Sequence, residues 1–339
     1  MTATYDFKSI ERASREYLDS LLDGEQEAFW TGLKSIDDSL GGLAKGELCI
    51  VGGRPSHGKS MFALNWLYNV ASASINCLMI SEEMSAAALA QRAISFATDI
   101  PRDKWRDKYD DVYQQALRFW EGRGRVQLVE SVGSVGNAVD AIAQAVEYSG
   151  VEFVVVDYLQ LLNGTGSSRY EQISNVSSEL KRAAVRHNIA VVALAQLGRE
   201  LERRDNVPRL RDLKDSGQIE QDADQVIFVQ WPLRSDPSHK PFDEYRIYCG
   251  KNRNRPIRKS IIPLRFVPSR QMLIELPGPD VTTRTNYTPE FDAFNEHHAT
   301  RELAADFEHR QQSALPLAES VVGDSIASPR CSPTNGTNG

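Results

Sequence analysis

The apolar residues between positions 47 and 276 follow two alternating patterns. Short runs rich in Val, Ile and Leu have the composition of buried strands, and longer stretches between them repeat apolar side chains at helical spacing. The predicted strands are 48–52, 76–80, 126–129, 152–157, 189–195 and 225–230. The predicted helices are 60–73, 85–98, 108–121, 135–149, 170–187 and 216–223. This alternation predicts an α/β fold, in which a mainly parallel sheet is flanked by helices on both faces.

The pattern changes after Trp231. Shorter, hairpin-like apolar runs follow at 243–250, 257–266 and 271–276, with prolines between them. They predict antiparallel strands that extend one edge of the sheet.

The two ends of the chain differ from this body. Residues 1–30 place apolar side chains at a period of 3.6 on one mainly charged helix that stops near Asp23 and Gly24. This helix packs either on its own chain or on a neighbouring subunit. Residues 278–339 are rich in Thr, Asn, Ser, Ala and Pro, and predict a partly disordered tail with a helix at 290–311. We therefore divide the chain into a helix at 1–30, a body at 31–277 and a tail at 278–339.

Charge changes the view of possible partners. The net charge of −7 argues against a nucleic-acid partner at first sight. However, residues 278–339 carry nine acidic and four basic side chains, and residues 1–277 carry 37 and 35. Because the acidity is concentrated in the tail, the body is close to neutral and a local basic segment can face a polyanion.

Other sequence signals bear on location and redox state. The sequence has neither an apolar run long enough to cross a membrane nor a signal peptide at its start, so we expect a cytoplasmic protein without a membrane partner. Its four cysteines include no Cys-x-x-Cys pair, and the first three lie in apolar or strand-like runs. We expect neither a disulfide nor a zinc site.

A glycine-rich stretch follows the first predicted strand and fits the pattern Gly-x-x-x-x-Gly-Lys-Ser. Its glycines allow backbone N–H groups to turn inward around phosphate oxygens, and the next helix offers the positive end of its dipole. Lys59 would reach the β- and γ-phosphates, and the Ser60 hydroxyl would ligate Mg²⁺. His57 stands at a variable position and is interpreted as a loop residue without a catalytic role. The predicted nucleotide-binding residues are Gly53, Arg54, Pro55, Ser56, His57, Gly58, Lys59 and Ser60.

Three further polar groups lie at the ends of predicted strands. Asp157 ends the strand at 152–157, where ligands bind in open α/β folds, and it is suited to hold Mg²⁺. Glu82 and Glu83 end the strand at 76–80; their side chains point in different directions, and spacing does not choose between them. Gln196 ends the strand at 189–195, and its amide can both donate to a γ-phosphate oxygen and accept from water.

Five segments resemble, in order and spacing, the motifs of the DnaB-type replicative helicases. They are residues 52–60, 81–85, 157–162, 212–224 and 251–256. The resemblance covers about residues 31–276 and implies a RecA-like P-loop NTPase motor domain, without the family's N-terminal domain that usually meets primase. The helix at 5–22, within residues 1–30, is similar to the linker helix that packs on the adjacent subunit of the family's hexameric ring.

The resemblance implies ATP and Mg²⁺ as ligands and a role for each matching position. Lys59 and Ser60 would bind the phosphates and Mg²⁺, Asp157 the metal, and Gln196 would sense the γ-phosphate. The family's catalytic glutamate directly precedes Met, which selects Glu83. Two basic residues match the pair that reaches a neighbour's γ-phosphate; these are Lys251 and Arg253.

Residues 199–214 mix basic and acidic side chains, which by charge alone indicates a solvated loop. The end of this segment resembles the family loop that lines the central channel and grips the single-strand backbone. The residues implied to contact DNA are Lys214, Asp215, Ser216 and Gly217. One departure is Arg255, which stands where the family usually has Gly. Because a residue other than glycine resists positive φ, the backbone path beside Arg253 need not follow that of the family.

The sequence thus predicts a homo-hexameric, ATP-driven DNA helicase that acts on single-stranded and forked DNA, with a helicase loader and primase as possible partners. One alternative is a RecA-superfamily ATPase that binds or remodels DNA without unwinding it. Another is a RecA-fold ATPase that acts on protein.

Overall fold

A computed structural model of the chain describes residues 28–198, 207–213 and 217–276, together with positions 9–12, 14, 15 and 19. Within these ranges the centre of the fold is a nine-stranded sheet in the order β11-β10-β9-β8-β3-β7-β6-β4-β5. The six parallel strands are β3 (Leu48–Gly53), β4 (Asn76–Ser81), β5 (Val126–Glu130), β6 (Val151–Asp157), β7 (Ala190–Gln196) and β8 (Gln225–Gln230). The antiparallel strands are β9 (Glu244–Asn252), β10 (Ile261–Val267) and β11 (Met272–Glu275). The predicted fold class, with its antiparallel edge, is confirmed.

Helices cover both faces of the sheet. They are α1 (Lys34–Leu40), α2 (Lys59–Ser72), α3 (Ala86–Ala97), α4 (Tyr109–Trp120), α5 (Val135–Ser149), α6 (Arg169–His187), α7 (Gly217–Asp222) and α8 (Pro232–Ser235). Alternate residues of β3 face opposite cores: Cys49 and Val51 pack with α2, whereas Leu48 and Ile50 pack with α5 and α6. A strand buried on both faces must be apolar throughout, which explains why the predicted core strands read as continuous apolar runs.

Capping residues at both ends explain where the 19-residue helix α6 begins and ends. Ser168 accepts a hydrogen bond from the Glu171 N–H at the start of α6, and the Glu171 side chain completes a capping box. The same helix ends at Asn188, which adopts the left-handed conformation with φ of 52°. The predicted helix at 170–187 therefore agrees with the observed one to within a residue.

Some elements are missing from the sequence prediction. A two-stranded sheet joins β1 (Ala28–Phe29) to β2 (Leu43–Ala44), and α1 lies between these strands. Strands of two residues have no period to detect, and α1 has only seven residues. β1 lies within residues 1–30 but after the predicted end of the N-terminal helix near Gly24, so packed structure starts before residue 31.

The predicted ends of the chain are described only in part. Positions 10–12, 14, 15 and 19 are helical, and Ile10 is 84% exposed. The predicted tail at 278–339, with its helix at 290–311, lies outside the described residues and stays a prediction. None of the described helices combines the length and apolar character that crossing a membrane would require. Cys49, Cys77 and Cys249 are buried free thiols, while Cys331 lies outside the described residues.

Candidate functional site

The glycine-rich loop connects the carboxyl end of β3 to the start of α2. Gly58 has φ of +85°, a conformation that glycine adopts without strain, and α2 begins at the next residue. A Cβ at Gly53 would lie 2.8 Å from the Val229 side chain and 2.9 Å from that of Lys59. The loop thus packs closely against the neighbouring strand β8, and the positive end of the α2 dipole faces it.

Lys59 lies over this loop. Its Nζ donates to the Arg54 carbonyl oxygen at 3.3 Å, and the Arg54 Nη1 donates to the Gly198 carbonyl oxygen at 3.3 Å. Burial lowers the pKa of Lys59, whereas the nearby carboxylates of Asp157 and Glu83 raise it. A partly buried ammonium group held by one carbonyl is suited to bind a phosphate oxygen.

Asp157 ends β6 and is fully buried. Among the residues that the structure describes, neither of its carboxylate oxygens finds a hydrogen-bond partner of good geometry, although the Ser60 hydroxyl is close enough to affect its pKa. Burial raises the pKa of Asp157, and Ser60 and Lys59 lower it. A buried carboxylate must be paired or coordinate a metal, so the donor set of Asp157 and Ser60 fits a hydrated Mg²⁺.

The two adjacent glutamates at the end of β4 have different environments. The Glu82 carboxylate accepts hydrogen bonds from the Val132 N–H at 2.7 Å and the Gly133 N–H at 3.3 Å, so it is committed to the turn before α5. Glu83 is exposed, and its charge acts on Lys59 and Asp157. The contacts therefore support the choice of Glu83 over Glu82, which spacing alone left open.

Gln196 lies beside the loop because β7 pairs with β3 and places it opposite Gly53. Its backbone N–H donates to the Gln160 Oε1 at 3.1 Å, and the Gln160 Nε2 donates to the Gln196 carbonyl oxygen at 3.5 Å. The Gln160 amide thus continues the backbone pairing past the end of β6 and fixes the end of β7. Sequence reasoning missed this role, although Gln160 lies in the quoted segment 157–162.

His57 and Tyr245 hold the loop from the side of β8 and β9. The buried His57 ring accepts a hydrogen bond at Nδ1 from the Trp231 N–H at 3.2 Å, and Tyr245 Oη donates to the Gly58 carbonyl oxygen at 3.1 Å. Burial lowers the pKa of His57 to about 4, and Arg54 and Lys59 contribute to this lowering. His57 is therefore neutral at pH 7 and supports the loop, in keeping with the non-catalytic interpretation.

A cavity of about 340 Å³ opens beside the loop. Its lining includes Arg54 and Arg234, together with the turn at residues 55–57. The Arg234 guanidinium stacks over the Trp231 ring at 4.5 Å from its centroid. The cavity is large enough for part of a nucleotide, and its two guanidinium groups favour an anionic ligand.

Lys251 and Arg253 lie away from the loop of their own chain. Lys251 pairs with Val226 at the start of β8, which is the opposite end of the sheet from the loop. At 3.3 Å per residue, the length of β3 separates the two edges by about 17 Å. The structure therefore does not bring the two basic residues to the same phosphate site as Lys59.

Arg255 stands where the family usually has glycine, but its backbone does not adopt the left-handed conformation that favours glycine. Its φ is not positive. Its Nη1 donates to the Gly42 carbonyl oxygen at 3.2 Å. The backbone beside Arg253 thus needs no glycine at this position.

The residues implied to contact DNA are only partly described. Lys214, Asp215 and Ser216 lie outside the described residues, as do residues 199–206. Gly217 is the first residue of α7, and a Cβ there would lie 3.1 Å from the Tyr170 hydroxyl. The DNA contact stays a prediction.

Comparison with known proteins gives a consistent result. Residues 28–272 match the DnaB-like helicase C-terminal domain. The chain is 34% identical over 245 residues to a probable plasmid replicative DNA helicase of Chlamydia trachomatis serovar L2, across 70% of this chain and 52% of that protein. It is 32% identical over 277 residues to the replicative DNA helicase DnaB of Geobacillus stearothermophilus, across 75% of this chain and 58% of that protein. The chain spans about half the length of these curated relatives.

Solved structures show the same likeness. One solved ATPase domain superposes with a TM-score of 0.70 at 26% identity, covering 80% of this chain and 100% of that one. A DnaB-like replicative helicase, described together with its interactions with primase, superposes with a TM-score of 0.69 at 27% identity, covering 80% of this chain and 68% of that one.

Proposed function

Because the chain belongs to the DnaB-like helicase C-terminal domain family, we propose that it is an ATP-driven helicase motor that moves on single-stranded DNA and separates duplex DNA. The observation that carries this proposal is the division of the nucleotide chemistry between two edges of one sheet. The phosphate-binding loop lies at the carboxyl edge, and Lys251 and Arg253 lie at the amino edge. A complete site then requires two copies of the chain, as in a homo-hexameric ring.

Each residue of the candidate site has a part in hydrolysis. Glu83 orients a water and accepts its proton as the water oxygen attacks the γ-phosphorus of ATP, and the bond to the β-phosphate oxygen breaks to leave ADP and phosphate. Lys59 balances the charge on the phosphate oxygens. Gln196, fixed by Gln160, responds to the presence of the γ-phosphate. Mg²⁺ held by Ser60 and Asp157 would neutralise phosphate charge when bound.

The basic residues of a neighbouring copy complete the site. Arg253 has several donors and a delocalised charge, so it is suited to stabilise the charge that spreads over the transferred phosphoryl group. Such an arginine contributes a factor on the order of 10³–10⁵ in rate where it has been measured. Hydrolysis therefore depends on how two subunits meet.

Partners follow from the family. DNA contact is assigned to Lys214, Asp215, Ser216 and Gly217, where the lack of aromatic side chains favours phosphate contacts with little sequence preference. We propose a primase as a further partner, since one solved relative is described with its primase interactions. A helicase loader is proposed from the family resemblance alone. We place the protein in the cytoplasm with the replication machinery.

Unwinding of a forked duplex tests the proposal. Wild-type protein with ATP and Mg²⁺ should release the labelled strand, and Lys59→Ala should abolish the release because the phosphates lose their ammonium partner. Lys34→Ala is the matched control, since Lys34 forms an exposed ion pair with Asp38 on α1. Strand release that persists in Lys59→Ala would exclude the mechanism. Hydrolysis by the wild type without strand release would favour the non-unwinding ATPase.

A further inference from the structure

Lys251 and Arg253, here called the basic pair, are engaged with the end of a helix in their own chain. The Lys251 Nζ donates to the carbonyl oxygens of Glu220 at 2.6 Å and Ala223 at 2.7 Å. The Arg253 Nη2 donates to the carbonyl oxygen of Gln221. These carbonyls belong to the last turn of α7 and the residue after it, where positive charge is favourable. The basic pair thus caps α7.

Asp224, which follows the helix, holds this arrangement in place. Its side chain is only 5% exposed, and its Oδ1 accepts from the Arg253 Nη1 at 3.1 Å. Its carbonyl oxygen also accepts from the Arg253 N–H at 2.8 Å. Its Oδ2 accepts from the Leu48 N–H at 2.8 Å and from the Lys181 Nζ at 2.6 Å. Asp224 therefore binds Arg253 through both its side chain and its backbone.

The donors of the basic pair cannot serve two sites at once. Those that bind the end of α7 are unavailable to a phosphate on another subunit until the bonds exchange. The opposite end of α7 is Gly217, where the proposed DNA-contacting segment ends. A six-residue helix is about 9 Å long, so the two ends of α7 are close enough to move together.

We propose that Asp224 is a positioning residue that holds Arg253 docked on the end of α7, and that the basic pair must leave this position to reach a neighbour's phosphate. This inference rests on the proposed function and identifies the contact between Asp224 and Arg253 as the place where hydrolysis is regulated. A pull by DNA on the start of α7 displaces the carbonyls at its end and releases the basic pair. Hydrolysis at the neighbouring site is therefore stimulated by DNA and low without it.

Two substitutions should shift this balance in opposite directions. In Asp224→Asn, the side-chain oxygen continues to accept from the Leu48 N–H and the Lys181 Nζ. The amide NH₂ then takes the place of the oxygen that accepted from Arg253, and it cannot accept a hydrogen bond from the guanidinium group. Docking is weakened. In Lys181→Gln, the Asp224 carboxylate loses the lysine cation that competes with Arg253 for it. Its negative charge then interacts more strongly with Arg253, so docking is strengthened.

The test is ATP hydrolysis by the full chain with and without a single-stranded oligonucleotide. We expect Asp224→Asn to raise the DNA-free rate by about three- to tenfold and to lower the ratio of stimulated to DNA-free rate by a similar factor. Lys181→Gln should lower the DNA-free rate and raise the ratio. The matched control is Asp38→Asn, because Asp38 lies on α1 and its side chain bonds only to Lys34 among the described contacts. Its ratio should stay at the wild-type value.

The outcomes separate this inference from the proposed function. If DNA does not stimulate the wild type, or if Lys59→Ala hydrolyses ATP normally, the proposed function fails. If the wild type is stimulated but the two substitutions change the ratio in the same direction, or leave it unchanged, docking by Asp224 is refuted. Melting temperature and binding of a fluorescent ATP analogue check folding. Should Asp224→Asn not fold, Lys181→Gln decides alone, since an unchanged or lowered ratio overturns the inference.

Discussion

At the scale of single residues, a buried histidine links the phosphate-binding loop to the strand beside it. The His57 ring accepts from the Trp231 N–H, which follows β8, and its surroundings include the cations of Arg54 and Lys59. Protonation would remove the acceptor and add a further positive charge beside these cations. The folded protein therefore holds His57 neutral, and this lowers its stability at acidic pH.

Stability should fall on acidification because of His57. Folding lowers its pKa from 6.5 to about 4, so between these values the unfolded chain binds a proton that the folded chain does not. This contribution is fully present above pH 6.5 and is lost as the pH falls towards 4; at pH 5 we expect a loss of about 1–2 kcal/mol. Asparagine can accept the same hydrogen bond without titrating. Urea unfolding of His57→Asn and wild type at pH 7 and pH 5 should show the smaller loss in the variant, and equal losses would contradict the assignment.

At the scale of elements, one glycine allows the turn between α4 and β5 to approach β4. The Gly124 N–H donates to the Ala71 carbonyl oxygen at 2.8 Å, and a Cβ at Gly124 would lie 1.8 Å from the Ile75 carbonyl oxygen. No side chain fits at that distance, so the backbone would have to shift. The approach of this turn to the start of β4 depends on the glycine.

Gly124→Ala should destabilise the fold by at least about 2 kcal/mol, measured as the free energy of unfolding in urea. The matched control is Gly136→Ala in the first turn of α5, where the nearest atom to the added Cβ is the Ser134 Oγ at 3.9 Å. Alanine favours a helix over glycine, so this control should gain up to about 1 kcal/mol. Equal effects of the two substitutions would show that the contact at Ile75 is not limiting.

The elements predicted from sequence agree with the structure where a local pattern defines them. β8 and α5 have the predicted bounds, because a continuous apolar run and a Ser-capped helical period are encoded within the element itself. The seven residues of α1 and the two-residue strands around it carry too few periods to detect. Their positions depend on packing across the chain, which spacing does not report.

The candidate site divides in the same way. Lys59 and Asp157 are predicted from the loop motif and the strand end, which are local signals. The role of Gln160 was missed, since its hydrogen bonds reach 36 residues along the chain to Gln196. The docking of Arg253 by Asp224 was missed for the same reason, as it joins residues 29 positions apart.

At the scale of the whole molecule, the phosphate-binding loop and the basic pair, which we propose to act on one nucleotide, lie too far apart to meet within one chain. Lys59 belongs to the carboxyl edge of the parallel strands, and Arg253 follows a strand that pairs with the amino end of β8. The described side-chain hydrogen bonds of the basic pair go to α7 and the two residues after it. If the proposed assembly is correct, defects at the two edges should complement each other.

Mixing two inactive proteins should restore hydrolysis. Lys59→Ala and Arg253→Ala should each reduce the ATPase rate on the order of 10³-fold or more when assayed alone. In rings formed from equal amounts, about a quarter of the interfaces would join an intact loop to an intact basic pair, and the rate should rise accordingly. Mixing either variant with a second batch of itself is the control. Turnover that never returns, or an Arg253→Ala protein as fast as the wild type, would contradict a shared site.

The separation of the loop and the basic pair onto opposite edges also bears on direction. A contact that joins one edge of a subunit to the other edge of the next is head-to-tail, so every member of a closed ring points the same way around it. Such a ring has no two-fold axis in its plane, and its two faces differ. In the proposed ring, a strand threaded through the centre would meet those faces in one order only, which would give the proposed motor a polarity of travel.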